Sequence, residues 1–252
     1  MERNLKLTIA YDGTAYHGFQ RQANALAVQE VLEERLAKIF GHPLKMAGAA
    51  RTDTGVHAYG QVVSFVTAGS IPVDRIPAAS RGVLPDDIVI VAAEEVPRVF
   101  HARTAAKSKI YCYRIHTSPT PDPLLRNYAW HLLQTPDVAA MNTAVRHIVG
   151  THDFSAFRAA GGAAKSPVRT MIAASCQQEG QILECRFWGN GFLYHMVRNL
   201  VGTLVEVGLG RMTDEEFDAV LVGRDRHKAG VTAPPQGLYL KEVFYKDIDS
   251  GR

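Results

Sequence analysis

Apolar residues recur along this chain with two alternating periods, and the switches between them outline the elements. Leu5, Leu7 and Ile9 alternate with Lys6, Thr8 and Ala10, the period-two pattern of a strand. Val28, Val31, Leu32, Leu36 and Ile39 then keep helical spacing up to a glycine stop at Gly41. Two strands, the second over Gln61 to Val66, flank a polar loop around Asp53. A weaker helical pattern from Ile76 to Leu84 and a strand from Ile88 to Ala93 complete the order β-α-β-β-α-β, the ferredoxin-like order. The second half repeats this order with insertions. Ile110 to Ile115 reads as a strand, and Thr135-Pro136-Asp137 opens a helix as N-cap, N1 and N2. Val138, Met141, Val145, Ile148 and Val149 line its apolar face. Strands at Thr170 to Cys176 and Ile182 to Trp188, a helix from Leu193 to Val207, a capping-box start at Thr213 and a closing strand from Tyr239 to Phe244 follow. The pattern predicts an α+β fold of two related halves, residues 1–105 and 106–252, with the boundary near Thr104 to Lys107. Antiparallel sheets with helices on one face leave a broad sheet face open, the arrangement on which RNA-recognition modules stack bases.

Composition narrows the chemistry. The 252 residues, 46% apolar and 21% charged, suit a soluble globular protein with a substantial core. The longest apolar runs, such as Ile88 to Ala93, are too short for a bilayer, and Met1 to Lys6 lacks the apolar core of a signal peptide. Cys112, Cys176 and Cys185 are odd in number and widely spaced, which points to reduced thiols in a cytoplasmic protein and away from disulfides or zinc. No HExxH, GxxxxGK or GxGxxG motif is present, so chemistry without a metal or cofactor is expected. The net charge of +3 is modest, but its distribution is uneven. Between Arg98 and Arg114 lie Arg103, Lys107 and Lys109 and no acid, with Phe100, Tyr111 and Tyr113 interleaved. Between Phe154 and Gln178, Arg158, Lys165 and Arg169 again occur without an acid, around a small-residue loop at Ala159 to Ala164. Such stretches suit phosphates and unstacked bases, or form an ordinary solvated charged face.

Residues Arg51-Thr52-Asp53-Thr54-Gly55-Val56-His57-Ala58 carry a carboxylate on a tight loop. Such a loop is either an Asx turn or a site of chemistry held by rigid flanks. Tyr111 stands two residues from Tyr113 on one strand, so both share a face that either packs or meets a ligand. Arg198 falls at the border of the helical stripe Leu193, Met196, Val197, Leu200, Val201 and Leu204, where an arginine either snorkels to solvent or turns inward.

The polar loop resembles the catalytic loop of the tRNA pseudouridine synthase A family. Four further blocks in the same order extend the likeness: Tyr11 to Gln22, Lys107 to Tyr113, Phe192 to Gly202, and Ala233 to Leu240. Ala50 and Thr54 depart from the family's usual glycine and alanine, both small changes. The resemblance implies an isomerase that converts uridine into pseudouridine at positions 38, 39 and 40 of the tRNA anticodon stem-loop, without a cofactor and as a homodimer. The fold then expected is two ferredoxin-like (RRM-like) halves whose antiparallel sheets join into one extended sheet, helices on one face, with the catalytic cleft between the halves. The resemblance makes Asp53 the nucleophile or base and Arg198 its salt-bridge partner. It sets Tyr111 against the uracil, for stacking or proton relay, and gives Arg51 a part in flipping the target nucleotide. Arg103, Lys107, Lys109, Arg158 and Lys165 are the expected tRNA contacts, while His57 and His195 read as structural or RNA-contacting. A non-catalytic RNA-binding protein would share the sheets and basic stretches without needing Asp53. A small-molecule enzyme would explain Asp53 but not the basic stretches.

Overall fold

The alternation of Leu5, Leu7 and Ile9 forms strand β1 (Arg3–Tyr11), the centre of a sheet in the computed structural model, which describes residues 2–246. Helix α1 (Val28–Phe40) follows and ends at Gly41, whose left-handed φ of 76° closes the cap. Strand β2 (Ala47–Gly48), strand β3 (His57–Thr67), helix α2 (Ile76–Ser80) and strand β4 (Ile88–Val96) complete the expected order. Antiparallel β4 and β3 flank β1, and β2 pairs with β3, so the sheet order is ferredoxin-like. Helix α2 is shorter than its sequence pattern, because Gly82 and Pro85 follow and Ser80 turns its hydroxyl back onto the Pro77 carbonyl (2.9 Å).

Register explains which face is packed. Leu5 lies opposite Phe65 and Leu7 opposite Val63, and the Phe65 ring meets Phe40 of α1 edge-on at 5.4 Å. These buried side chains contribute about 1.5–3 kcal/mol each. Asn4, Lys6 and Ser64 point the other way, where the segment after β4 crosses the sheet. Asn4 donates to the carbonyls of Pro97 (3.0 Å) and Phe100 (2.9 Å), and Ala102 N–H donates to Ser64 Oγ (2.9 Å). The ammonium of Lys6 lies over the Tyr245 ring, and the Tyr245 hydroxyl donates to the Ala102 carbonyl (2.9 Å).

The second set of elements is β5 (Ser108–Thr117), β6 (Trp130–Leu132), α3 (Val138–Val145), β7 (Gly150–Asp153), β8 (Val168–Glu179), β9 (Ile182–Gly189), α4 (Met196–Gly208), α5 (Asp214–Gly223) and β10 (Leu238–Phe244). Ten strands and five α-helices among the described residues bear out the α+β class. The chain divides into two compact units, Met1–Lys107 with Tyr239–Arg252, and Ser108–Leu238. In the first, Tyr239 and Leu240 run parallel to His57 and Ala58 of β3, a pairing that the sequence pattern did not anticipate. In the second, β5, β9, β8 and β7 pair antiparallel in that order, and β6 lies parallel to β5.

Two helix starts differ from the sequence reading. The N-cap of α3 is Asp137 and not Thr135: its carboxylate accepts from the amides of Ala139 (2.8 Å) and Ala140 (3.1 Å), two donors that one hydroxyl would not satisfy as well. Helix α4 begins at Met196, because His195 adopts a left-handed φ of 57° that the helix cannot include. The capping box at Thr213 and Glu216 forms as expected. All three cysteines are free and buried, and burial above all pushes the Cys112 thiol up to about 11. No helix among the described residues is long and apolar enough to cross a membrane.

Helix α4 approaches its neighbours through glycine. A Cβ on Gly202 would sit 1.7 Å from the Val231 carbonyl oxygen. Gly202→Ala should therefore displace the segment around Val231 and destabilise the protein by about 3 kcal/mol. A urea melt with an unchanged midpoint would show that this segment yields freely.

Candidate active site

The polar loop is built by what packs around it. At its base, the Gln61 side chain of β3 acts as a strand partner, accepting from Ala50 N–H (3.2 Å) and donating to the Ala50 carbonyl (2.8 Å). Within the loop, Val56 N–H closes onto the Asp53 carbonyl (3.1 Å), and Gly55 takes a φ of 74° that favours glycine. The segment Tyr11 to Phe19 then grips this turn from one side. Phe19 N–H donates to the Thr52 carbonyl (3.1 Å), Gly55 N–H donates to the Tyr16 carbonyl (3.2 Å), and the hydroxyls of Tyr11 and Thr52 share a hydrogen bond of 2.7 Å. Burial holds the Tyr11 hydroxyl well above the usual phenol value, so it stays neutral and available for that bond.

Two glycines make this approach possible. A Cβ on Gly13 would lie 2.0 Å from the Val56 carbonyl oxygen, and one on Gly18 would lie 2.6 Å from that of Thr52. Gly18 also has a φ of 88°. The backbone on each side of half-buried Asp53 is thus held by main-chain contacts that leave no room for a side chain.

His57 belongs to the same support. Its buried Nδ1 accepts from Gly13 N–H (3.0 Å), and the Asp12 carboxylate stands 3.1 Å from that nitrogen. One nitrogen cannot accept from Gly13 and donate to Asp12 at once, so the Gly13 bond belongs to the tautomer with a bare Nδ1. The His57 ring stacks on Tyr239 (4.8 Å), which stacks on Tyr59 (5.3 Å), and Lys241 Nζ lies 4.7 Å above Tyr59. His57 thus ties the opening segment to the end of the loop.

The cations of the first unit fall into two groups. Arg98, in the stretch without acids, pairs with Glu2 (2.9 Å). Arg51 and Arg103 are exposed and lie near each other. Burial first, and the charge of Arg103 second, hold the Arg51 guanidinium below its ordinary value. Neither has a carboxylate partner among the described residues. Lys107 is exposed, and its amide donates to the Phe244 carbonyl (2.8 Å).

In the second unit, three stretches distant in sequence meet. Arg198 of α4 is half-buried and donates from Nε to the Ala233 carbonyl (2.7 Å), while Ala233 N–H donates to the Arg198 carbonyl (3.1 Å). The Tyr113 hydroxyl donates to the next carbonyl, Pro234 (2.7 Å). Tyr111, two residues earlier on β5, is buried with its ring edge-on to Phe192 at 5.0 Å. Arg114 pairs with Glu184 (3.2 Å), and Lys109 is half-buried. Arg158 is half-buried and Lys165 exposed. The rings of His195 and Tyr194 meet at a tilt of 32°, with centroids 3.9 Å apart.

Sequence reading singled out Asp53, Arg51, Tyr111 and Arg198; it put Tyr113 on the Tyr111 face and Tyr11, Gly13 and Gly18 in a family-like block, but it did not assign these residues or Gln61 to holding the surrounding backbone. The glycines were the available signal, since Asp12-Gly13 and His17-Gly18 punctuate a segment that otherwise lacks periodicity. The clamp around the loop has a testable energetic order. Tyr11→Phe removes one hydrogen bond and should cost about 1 kcal/mol. Gly18→Ala adds both backbone strain and a clash and should cost roughly 3 kcal/mol. Urea midpoints in the reverse order would mean that the opening segment does not grip the loop.

Comparison with known proteins identifies the family. The family described as tRNA pseudouridine synthase matches residues 7–104 and 144–246. The chain is 48% identical over 243 residues to tRNA pseudouridine synthase A of Acetivibrio thermocellus, covering 96% of this chain and all of that one. It is 46% identical over 243 residues to the protein of that name from Thermoanaerobacter sp. (strain X514), again covering 96% of this chain and all of the relative. The likeness to tRNA pseudouridine synthase A of Ruminiclostridium cellulolyticum is 47% over 244 residues, with the same coverage. Matches of this extent include the clamped loop, the α4 arginine and the segment it holds, and on that ground the chain belongs to the tRNA pseudouridine synthase family.

Proposed function

We propose that this protein isomerises uridine to pseudouridine at positions 38, 39 and 40 of the tRNA anticodon stem-loop, in the cytoplasm and as a homodimer. The observation that carries the reading is the Asp53 loop, a carboxylate on a backbone clamped from both sides within a chain of this family. In the reaction the bond between uracil N1 and ribose C1′ breaks, the base turns, a bond from C5 to C1′ forms, C5 gives up its proton, and N1 ends protonated in its place. Product and substrate have the same composition, so no electrons or co-reactant are required. The reaction needs the ribose held against a carboxylate in one geometry, which a preorganised loop supplies.

In this reading residues 1–105 form the domain that presents Asp53, and residues 106–252 the domain that presents Tyr111 and Arg198. Asp53 acts at the ribose as nucleophile or base. Arg198 serves the charge of Asp53, and its bond to Ala233 supports that role by restricting the guanidinium. Tyr111 contacts the uracil, with Phe192 limiting its ring. Arg51, beside Arg103 and without an acid partner among the described residues, suits the backbone phosphates of a nucleotide drawn out of its stem. Lys107, Lys109, Arg158 and Lys165 add further contacts to tRNA.

Asp53→Asn keeps the shape of the side chain and removes its charge. Pseudouridine formation on an unmodified tRNA transcript should be abolished while affinity for that tRNA stays close to wild type. Turnover by the folded variant would remove Asp53 from the chemistry. Arg198→Ala should lower the single-turnover rate far more than tRNA affinity, with partial recovery in Arg198→Lys, since an ammonium lacks the planar two-point contact of a guanidinium. Equal rates in wild type and Arg198→Ala would confine Arg198 to holding Ala233. For Tyr111, Phe should retain ring contact and lose the hydroxyl, whereas Ala loses both. Unchanged turnover in both variants would make Tyr111 a core residue.

A further inference from the structure

Arg169 has no part in the site described above, yet its surroundings are those of an anion receptor. It is the second residue of β8, and its Nη1 donates to the carbonyls of Ser166 (2.9 Å) and Val168 (2.6 Å). Arg158, on the other side of the small-residue loop, donates from Nη2 to the Gly162 carbonyl (2.8 Å). Among the described residues neither guanidinium has a carboxylate partner, so both are oriented by backbone carbonyls and neutralised by nothing. Burial first, and the charge of Arg158 second, hold Arg169 below the ordinary arginine value. Two like charges kept together in this way favour a ligand carrying negative charge on several oxygens, because one such group relieves both.

The loop between them brings an aromatic ring to the same place. Ala159 N–H donates to the Tyr194 carbonyl (3.0 Å), and a Cβ on Gly162 would lie 2.9 Å from Tyr194 Cβ. A Cβ on Gly191 would lie 3.3 Å from Arg169 Nε. The run from Ala159 to Ala164 holds only alanine and glycine, so this loop itself puts no bulky side chain beside the cations. Tyr194 is 43% exposed, a high value for a tyrosine tied into a packed turn. Its neighbour His195, at a φ of 57°, is one of two non-glycine residues with positive φ among the described residues, and this turn sets where the Tyr194 ring points.

We propose that Arg158, Arg169 and Tyr194 form a clamp for one backbone phosphate of tRNA and the nucleoside attached to it. The two guanidinia take the phosphate oxygens, and the Tyr194 ring takes the ribose or base face. The proposal rests on tRNA being the substrate and adds Arg169 and Tyr194 to its contacts.

The test measures the affinity of wild type, Arg158→Ala, Arg169→Ala, the double variant and Tyr194→Ala for an unmodified tRNA transcript. Fluorescence anisotropy over a range of salt concentrations gives both affinity and its salt slope. Either single arginine variant should bind about tenfold more weakly, and the slope of log affinity against log salt should fall by about 1. Because both arginines hold one phosphate, the double variant should lose less than the product of the two single losses. Arg169→Lys should restore the salt slope but only part of the affinity. Tyr194→Ala should weaken binding with the slope unchanged, and Tyr194→Phe should bind like wild type. Wild-type affinity and slope in folded Arg169→Ala and Arg169→Lys would overturn the clamp, as would fully multiplicative losses in the double variant. Pseudouridine formation by the wild type, measured on the same transcript, separates the two readings. Its absence removes the enzymatic assignment, whereas an active wild type with indifferent arginine variants removes only the clamp.

Discussion

The loop that carries Asp53 depends on a close backbone approach that only glycine permits. Gly13 and Gly18 lie against the carbonyls of Val56 and Thr52 at separations where any Cβ would clash. The hydrogen bonds from Phe19 to Thr52 and from Gly55 to Tyr16 exist because that approach exists. Gln61 and Tyr11 then close the loop from below and His57 from its far end. Apart from the Tyr11–Thr52 and Gln61 bonds and the approach of His57 to the Asp12 carboxylate, these contacts involve main chain alone or main chain with one ring nitrogen, so the turn is held mainly at its peptide groups.

The second unit fixes its arginine by related means. The consecutive carbonyls of Ala233 and Pro234 accept from Arg198 and Tyr113, residues on a helix and a strand far apart in sequence. Gly202 lets α4 come within contact of Val231, one turn after Arg198. A guanidinium whose Nε is committed to a carbonyl has lost much of its rotational freedom, and ordering it further costs correspondingly less entropy. Burial keeps the Tyr113 hydroxyl well above the usual phenol value, against the opposing charge of Arg198, so it remains the donor to Pro234.

Charge shows how far local sequence can mislead. The stretch from Arg98 to Arg114 contains no acid, yet Arg98 meets Glu2 and Arg114 meets Glu184 across the fold. Both are pairs of partly exposed groups worth little in stability, but they remove two cations from the set available to an anionic partner. Arg51, Arg103, Arg158 and Arg169 have no such partner among the described residues, and they occur as two like-charged neighbours in each unit. That pairing is costly for an isolated protein and favourable for one that meets phosphates.

The order of the longer elements, the α+β class and the presence of the loop carboxylate were legible in the sequence, because period-two and helical spacing, the Gly41 stop and the Thr213 capping box are local properties of the chain. The short strands β6 and β7 carry too few residues for a period and were not read. Family likeness, carried by short blocks, was legible for the same reason. The start of α3 at Asp137 was not, since a carboxylate and a hydroxyl two residues apart both suit an N-cap and only the final geometry chooses. The parallel pairing of Tyr239 with His57 joins residues at opposite ends of the chain, and no periodicity encodes it. Likewise the approach of Gly13 and Gly18 to the loop, the convergence of Tyr113 and Arg198 on Ala233 and Pro234, and the sorting of cations into paired and unpaired all depend on long-range packing. Sequence alone determined which residues could do chemistry here, because reactivity belongs to the side chain. Tertiary structure decided how their backbones are held and which charges stay uncompensated, because those follow from distances between segments that the chain brings together only when folded.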